Sequence, residues 1–280
     1  MPAGLMFLVL FAAALHAAWN AIVKAGSETF LDTVLVAIGA ALVGGLMLPL
    51  LSLPAPASWP YLVASVAIHC AYFSLVALAY RTGDLSYAYP IMRGSAPLVT
   101  AWVAGILVGE PLTSGEWLGV FLLSLGILTL TRDSWQSGQF RPARTALGLA
   151  NGAVIVAYTV VDGIGVRLSG HAASYVAWLF FLNAFPLLAL ALARRPKGLK
   201  GRIQTHWAKG VLGGACTIGS YGLALWVMTQ SPIALVAALR ESSVIFGTIM
   251  AAVFLKERFG APRYIAASMV TAGAVAVKAL

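Results

Sequence analysis

The sequence predicts an all-α integral membrane protein, ten transmembrane helices arranged as two inverted repeats of five, and three observations predict it. Of the 280 residues, 60% are hydrophobic, and 18 Lys and Arg with 9 Asp and Glu make only 10% charged. A soluble domain is roughly 45 to 50% apolar and about 25% charged. With a mean hydropathy of +0.90, the chain has too little polar surface to clothe a water-soluble globule. The apolar residues come in runs of about twenty, the length needed to cross a hydrocarbon core of about 30 Å. The third observation is that the second half of the chain echoes the first. Strand-length segments of alternating polarity are missing, so the spans are helices rather than a barrel.

In chain order the apolar runs place spans at 3–24, 32–53, 60–80, 86–108, 115–131, 145–167, 172–193, 208–229, 232–255 and 262–280. Turn chemistry separates them: Ala25-Gly26-Ser27, the Pro54/Pro56/Pro60 stretch, Arg81-Thr82-Gly83-Asp84, Gly109-Glu110-Pro111 and Ser231-Pro232. Only the connections 132–144 and 194–207 are long, so a single membrane domain is expected. The first span lacks a basic leader and is too long an apolar run for a cleaved signal peptide. Cys70 and Cys216 fall inside apolar runs and read as small buried residues, not a disulfide.

Laid at an offset of 147, residues 77–117 match 224–264 at Ala77/Ala224, Leu78/Leu225, Thr82/Thr229, Arg93/Arg240, Ser95/Ser242, Ala104/Ala251 and Glu110/Glu257. Arg and Glu are rare here, and their recurrence at equal spacing marks a repeat. An offset of 142 lays His16, Asn20 and Lys24 on Tyr158, Asp162 and Val166. The units are therefore read as 1–140 and 141–280, and five spans per unit, an odd number, invert the second. Inverted repeats of this kind characterise secondary transporters, with the substrate held near the midplane.

The net charge of +9 raises the question of nucleic acid, but the basic residues stand singly or in short clusters between spans. That is the distribution of membrane topology, and no nucleic-acid partner is expected. The odd-numbered connections carry Lys24, Arg81, Arg132, Arg141, Arg144, Arg194, Arg195, Lys197, Lys200, Arg202, Lys209, Lys256, Arg258 and Arg263; the even-numbered ones carry Arg167. By the positive-inside rule the odd connections are cytoplasmic and both termini lie outside, in an inner membrane.

Ala77-Leu78-Ala79-Tyr80 closing span three, Pro97 within span four, Gly109-Glu110 at its exit, and Gly119 and Gly126 in span five recur in part as Ala224-Leu225, Glu257, Ala266 and Gly273. With Trp19-Asn20 to Lys24-Ala25-Gly26 in span one, these residues make the chain resemble the drug/metabolite transporter superfamily, specifically EamA-type ten-helix carriers. The resemblance covers essentially the whole chain. It implies a carrier working by alternating access on amino acids, nucleotide sugars, sugar phosphates or cationic drugs. Val244 and Lys256 stand where the first repeat has Pro97 and Gly109, so a break in span four is not expected to be mirrored in span nine.

Nucleotide-binding, hydrolase and metal motifs are missing, and His16, His69, His171 and His206 lack ligand spacing, so no enzyme, cofactor or metal site is expected. Ionisable residues within spans are costly, about 2.5 to 3.5 kcal/mol for a central Arg or Asp, and point to cavities or partners. Arg93, Asp162, Arg240 and Glu241 qualify, and for Asp162, five residues from the end of its span, an interfacial place is the competing reading. The competing reading of each arginine is snorkelling or permanent pairing with an acid. Adjacent residues such as Arg240 and Glu241 stand about 100° apart on a helix and cannot easily satisfy each other.

The candidate substrate-binding set is Arg240, Arg93, Tyr87, Tyr89, Trp226, Asn20, His16, Tyr158 and Glu241. Asn20 and Asn183 are equally consistent with helix–helix contacts. Pro90 and Pro97, with Gly94 between them, make span four the candidate gate, because proline removes a helical hydrogen bond. The G-x-x-x-G pairs Gly105/Gly109, Gly115/Gly119, Gly148/Gly152 and Gly210/Gly214 are assigned to packing within one monomer.

Two intramembrane guanidiniums favour a substrate with a carboxylate, and the expected activity is export of neutral or aromatic amino acids. Nucleotide-sugar or sugar-phosphate exchange is the alternative. A proton-coupled drug exporter fits less well because span one has no glutamate. From a different class, a non-transporting membrane scaffold competes. The expected partners are the bilayer and a small molecule.

Overall fold

The computed structural model describes residues 1–81, 85–131, 142–255 and 261–279, and their regular elements are helices. They are α1 Ala3–Lys24, α2 Thr29–Met47, α3 Trp59–Arg81, α4 Leu85–Leu107, α5 Ser114–Leu128, α6 Pro142–Leu168, α7 Ala172–Arg194, α8 Pro196–Met228, α9 Ile233–Arg240, α10 Ser243–Leu255 and α11 Ala261–Ala279. Among the described residues these make ten helical passes, because α9 and α10 are two pieces of one. Among the described residues, seven helical stretches are long and apolar enough to cross a membrane.

Local chemistry explains the boundaries. Thr113 caps α5 in a capping box, its hydroxyl accepting from the Glu116 amide while the Glu116 carboxylate accepts from the Thr113 amide. Pro142 and Pro196 begin α6 and α8, where the missing N–H costs nothing. α2 stops at Met47 rather than 53, passing into a short 3-10 turn, Leu48–Leu50, that contains Pro49. Span eight begins earlier than expected: α8 starts at Pro196 and bends at His206, whose φ of −131° and ψ of 17° are not helical.

Two expectations about span breaks are reversed. α4 runs unbroken from Leu85 to Leu107 through Pro90 and Pro97. Span nine, which has no internal proline, is the interrupted one. Glu241 N bonds Ala238 O at 3.0 Å, Ser242 N bonds Leu239 O at 3.0 Å and Val244 N bonds Glu241 O at 3.1 Å. These three-residue closures tighten the chain between α9 and α10. Ser242 and Ser243 are buried at the break, and the Ser242 hydroxyl has no hydrogen-bond partner there.

Lipid tails are as apolar as leucine, so close backbone approach and van der Waals contact, more than a hydrophobic drive, hold such passes together. Gly39 on α2 lies against Gly210 and Val211 on α8, and Gly214 against Gly39 and Ala40. Gly119 on α5 meets Gly273 and Val277 on α11, and Gly152 on α6 meets Met92 and Ser95 on α4. These glycines are spent inside the chain. Cys70 and Cys216, expected to be buried, are part-exposed free thiols.

Pass one packs on pass eight and pass three on pass six; pass four packs on six and pass nine on one; two meets seven and five meets ten. Adding five to every pass number exchanges these pairings among themselves. Large apolar side chains such as Phe7, Leu46 and Trp102 face outward, as a lipid-solvated surface requires.

Candidate functional site

A cavity of about 120 Å³ opens between α1, α2, α3, α4, α6, α7, α8 and the end of α9. Its wall is largely aromatic. The His69 ring stacks on Tyr158 with centroids 4.5 Å apart, Tyr72 meets Tyr158 edge-on at 5.9 Å, and Tyr221 meets it at 6.2 Å. Phe73 and Phe180 complete the wall.

Two arginines enter this wall from opposite passes, and their situations differ. Arg93 of α4 is 4% exposed. Its Nη2 lies 2.9 Å from His16 Nε2 and its Nε 3.1 Å from Glu241 Oε2. The latter contact is ionic rather than a directed hydrogen bond, since neither atom is aligned for one. His16 Nδ1 also stands 3.3 Å from the indole Nε1 of Trp19. A neutral imidazole accepts at one nitrogen only, and the shorter, charge-assisted bond from Arg93 takes that lone pair. Trp19 then serves as an edge-on ring, at 84° to the imidazole.

Arg240 ends α9 at the break in span nine. It is 8% exposed, its guanidinium sits 4.8 Å over the Tyr221 ring, and its Nε is buried without a hydrogen-bond partner. The ring face attracts the cation but satisfies none of its N–H donors. Arg240 is thus a cavity-lining cation whose donors await an acceptor.

Asp162, read as either an intramembrane or an interfacial charge, is fully buried at 0% exposure. Two phenols donate to it, Tyr175 Oη at 2.9 Å and Tyr221 Oη at 2.7 Å. These bonds spread its charge and fix the Tyr221 ring beneath Arg240. His69, on the same wall, is held by Ser65, with Nδ1 2.9 Å from the Ser65 carbonyl.

His16, Arg93, Arg240 and Tyr158 of the candidate set come together in this cavity. Glu241 stands behind it, paired with Arg93. Asn20 bonds back to His16 O at 2.8 Å. Trp226, chosen for its closeness in sequence to the repeat's arginine, does not line the cavity; it is 41% exposed on α8. The side chains of Tyr87 and Tyr89 lie outside the described residues. Pro90, Gly94 and Pro97 are buried, and a Cβ at Gly94 would come within 2.7 Å of Leu128 Cγ, so this glycine serves close packing on α5. His69, Tyr221, Asp162 and Asn183 also adjoin the cavity and were left out of the candidate set, although Asp162 and Asn183 stood out as polar residues in apolar runs. A signal existed for Asp162, which the 142 offset lays on Asn20, next to the pairing of His16 with Tyr158.

The cavity is asymmetric along the pass axis. Thr33, Val36 and Ala37 near the start of α2 and Leu187 near the end of α7 line it, so it extends toward the odd-numbered connections. The even-numbered end is cross-tied. Arg167 Nη2 meets Glu110 Oε1 at 2.6 Å, and Arg167 donates to the carbonyls of Met228 and Ser231 at 2.7 and 2.9 Å. Glu110 Oε2 accepts from Ile233 N, the first amide of α9, at 2.9 Å. A carboxylate there satisfies an orphan donor and complements the helix dipole. No cluster of His, Cys, Asp and Glu fit to hold a metal occurs among the described residues.

Residues 145–278 match the model of the EamA-like transporter family. No curated protein matches the sequence. Among solved structures 28 chains match. One, described only as "Crystal structure of protein", superposes with a TM-score of 0.77 at 16% identity, covering 99% of this chain and 98% of that one. At that identity the likeness is one of fold.

Proposed function

We propose, from the match of residues 145–278 to the EamA-like transporter family, that the chain is a multi-span membrane transporter of the drug/metabolite type that exports neutral and aromatic amino acids by alternating access. The observation that carries this reading is the unpartnered Arg240 guanidinium in an aromatic-walled cavity. A carboxylate fits its fork in bidentate fashion, and the rings of Tyr158, Tyr221, Tyr72 and Phe73 offer an apolar bed for a neutral side chain. Such packing separates similar side chains by only about 1 to 3 kcal/mol, so several amino acids share the site.

The formal charges support a zwitterion over a sugar phosphate. Arg93 and Arg240 are matched by Glu241 and Asp162 around the cavity. A net-neutral substrate leaves that balance intact, whereas a dianion is left largely uncompensated in a low-dielectric site.

Both carboxylates are engaged, Glu241 by Arg93 and Asp162 by two tyrosines, which favours facilitated flow down the substrate gradient. In liposomes holding the purified protein, labelled neutral amino acids exchange without an imposed pH gradient. Movement of sugar phosphates or nucleotide sugars in their place removes the substrate assignment. A requirement for a proton gradient removes only the uncoupled mechanism.

The repeat units are 1–140 and 141–280, supported by the exchange symmetry of the pass pairings. The moving element is the break between α9 and α10. Glu110 grips the start of α9, and Arg93 grips Glu241 just beyond its end, so α9 is a short rod that carries Arg240 as it pivots. By the charge asymmetry of the connections both termini lie outside the cytoplasmic membrane, and the cavity opens inward. A fluorescent reporter that matures only in the cytoplasm stays dark at the C-terminus; a bright signal reverses the orientation.

A further inference from the structure

The charge of Arg240 accounts for one end of a zwitterion. Its other end, an ammonium, needs an acceptor, and the two carboxylates around the cavity are already engaged. The Asp162 oxygens take the Tyr175 and Tyr221 hydroxyls, and Glu241 pairs with Arg93. The hydroxyls of Thr33, Thr217 and Ser220 donate to the backbone carbonyls of Thr29, Gly213 and Ala12, which leaves them neutral acceptors with one hydrogen bond already made. Asn183 of α7 lines the cavity, and its Oδ1 is buried with no hydrogen-bond partner. A buried carbonyl oxygen without a donor is destabilising and rare in folded proteins.

We propose that the Asn183 carboxamide is the subsite for the substrate's α-ammonium, so that the cavity reads both charged ends of an amino acid and rejects carboxylates that lack the amine. The inference rests on the amino-acid reading of the same cavity. The side chain is suited to it: a carboxamide carries no charge, so it adds an acceptor without disturbing the balance of two arginines and two carboxylates. Its oxygen and nitrogen ends exchange by a half-turn about Cβ–Cγ, so the ligand's donor selects the oxygen. An aspartate there would bring a third carboxylate against two arginines, holding the empty site negative.

The test compares phenylalanine with 3-phenylpropionate, which keeps the carboxylate and ring and loses the amine, by calorimetric binding to the purified full chain in detergent. The intact protein binds phenylalanine at least tenfold more tightly. In Asn183→Leu that ratio collapses to within about twofold through weaker phenylalanine binding, while 3-phenylpropionate is held as before. Asn183→Asp, which restores an acceptor oxygen, restores the preference. Arg240→Gln weakens both ligands alike. A phenylalanine preference that survives intact in Asn183→Leu overturns the subsite and leaves the amino-acid reading standing, as does equal weakening of both ligands by that variant. Failure of the unaltered protein to bind either ligand, while it binds a sugar phosphate, overturns the amino-acid reading and the subsite with it.

Discussion

Arg240→Gln lowers the transport of neutral amino acids by about 100-fold, and Arg240→Lys lowers it by about tenfold. The guanidinium lies over Tyr221 with its Nε unpartnered, so its donors are free for a substrate carboxylate. Hydrogen bonds to a charged group contribute about 1.5 to 3 kcal/mol each, and every 1.4 kcal/mol is about tenfold. Gln removes the charge and the fork. Lys keeps the charge and loses the two-point grip. Because the variants change groups that face the cavity, the protein still inserts, and its unfolding midpoint in detergent moves little. Initial rates in liposomes check the result; normal transport by Arg240→Lys at unchanged apparent affinity excludes a bidentate site.

Breaking the Arg93–Glu241 pair has its main effect on stability. Both side chains are buried, the ion pair spans 3.1 Å, and it ties α4 to the break in span nine. Glu241→Gln leaves a buried guanidinium without its counter-ion, a change that costs about 3 to 5 kcal/mol. Arg93→Met strands the carboxylate at a similar cost. The double variant Arg93→Met with Glu241→Gln strands neither charge and recovers much of the loss, as buried pairs replaced together often do. Thermal unfolding midpoints of the two singles and the double complete the cycle. A double variant that loses the sum of the singles shows two independent sites rather than a coupled pair. Arg93→Lys, by the same geometry, lowers the midpoint through His16 and Glu241 before it alters substrate affinity, in contrast to Arg240→Lys.

The repeat-equivalent arginines are therefore held differently, although their sequence surroundings gave no means of telling them apart. Each sits at the same register of its repeat, and spacing along a helix reports depth but not the neighbour across the gap. Arg93 faces His16 on α1 and Glu241 beyond α9, residues 77 and 148 positions away. Asp162 was left between an intramembrane and an interfacial place for the same reason. Its distance from the end of the span suggested an interface, but Tyr175 and Tyr221 enclose it from two other passes. Trp226 failed in the opposite sense, being near Arg240 in sequence and turned outward on α8.

Composition and periodicity alone determined the membrane environment, the helical class, the number of passes and most of their boundaries, since the length and polarity of a span are local quantities set by bilayer thickness and the need to satisfy the backbone. They also picked out His16, Tyr158, Arg93 and Arg240, because ionisable and polar residues are few in an apolar chain and the repeat pairs them. Only the tertiary structure decided which arginine is paired and which is free, that His69, Tyr221 and Asn183 share the cavity, and that span nine breaks where proline would have predicted span four. Partner choice and the tolerance of a helix for proline depend on what the neighbouring passes supply: α5 packs closely against Gly94 of α4, while Arg93 draws the Glu241 side chain to the interruption in its own helix. Those contacts are long-range, and no local pattern encodes them.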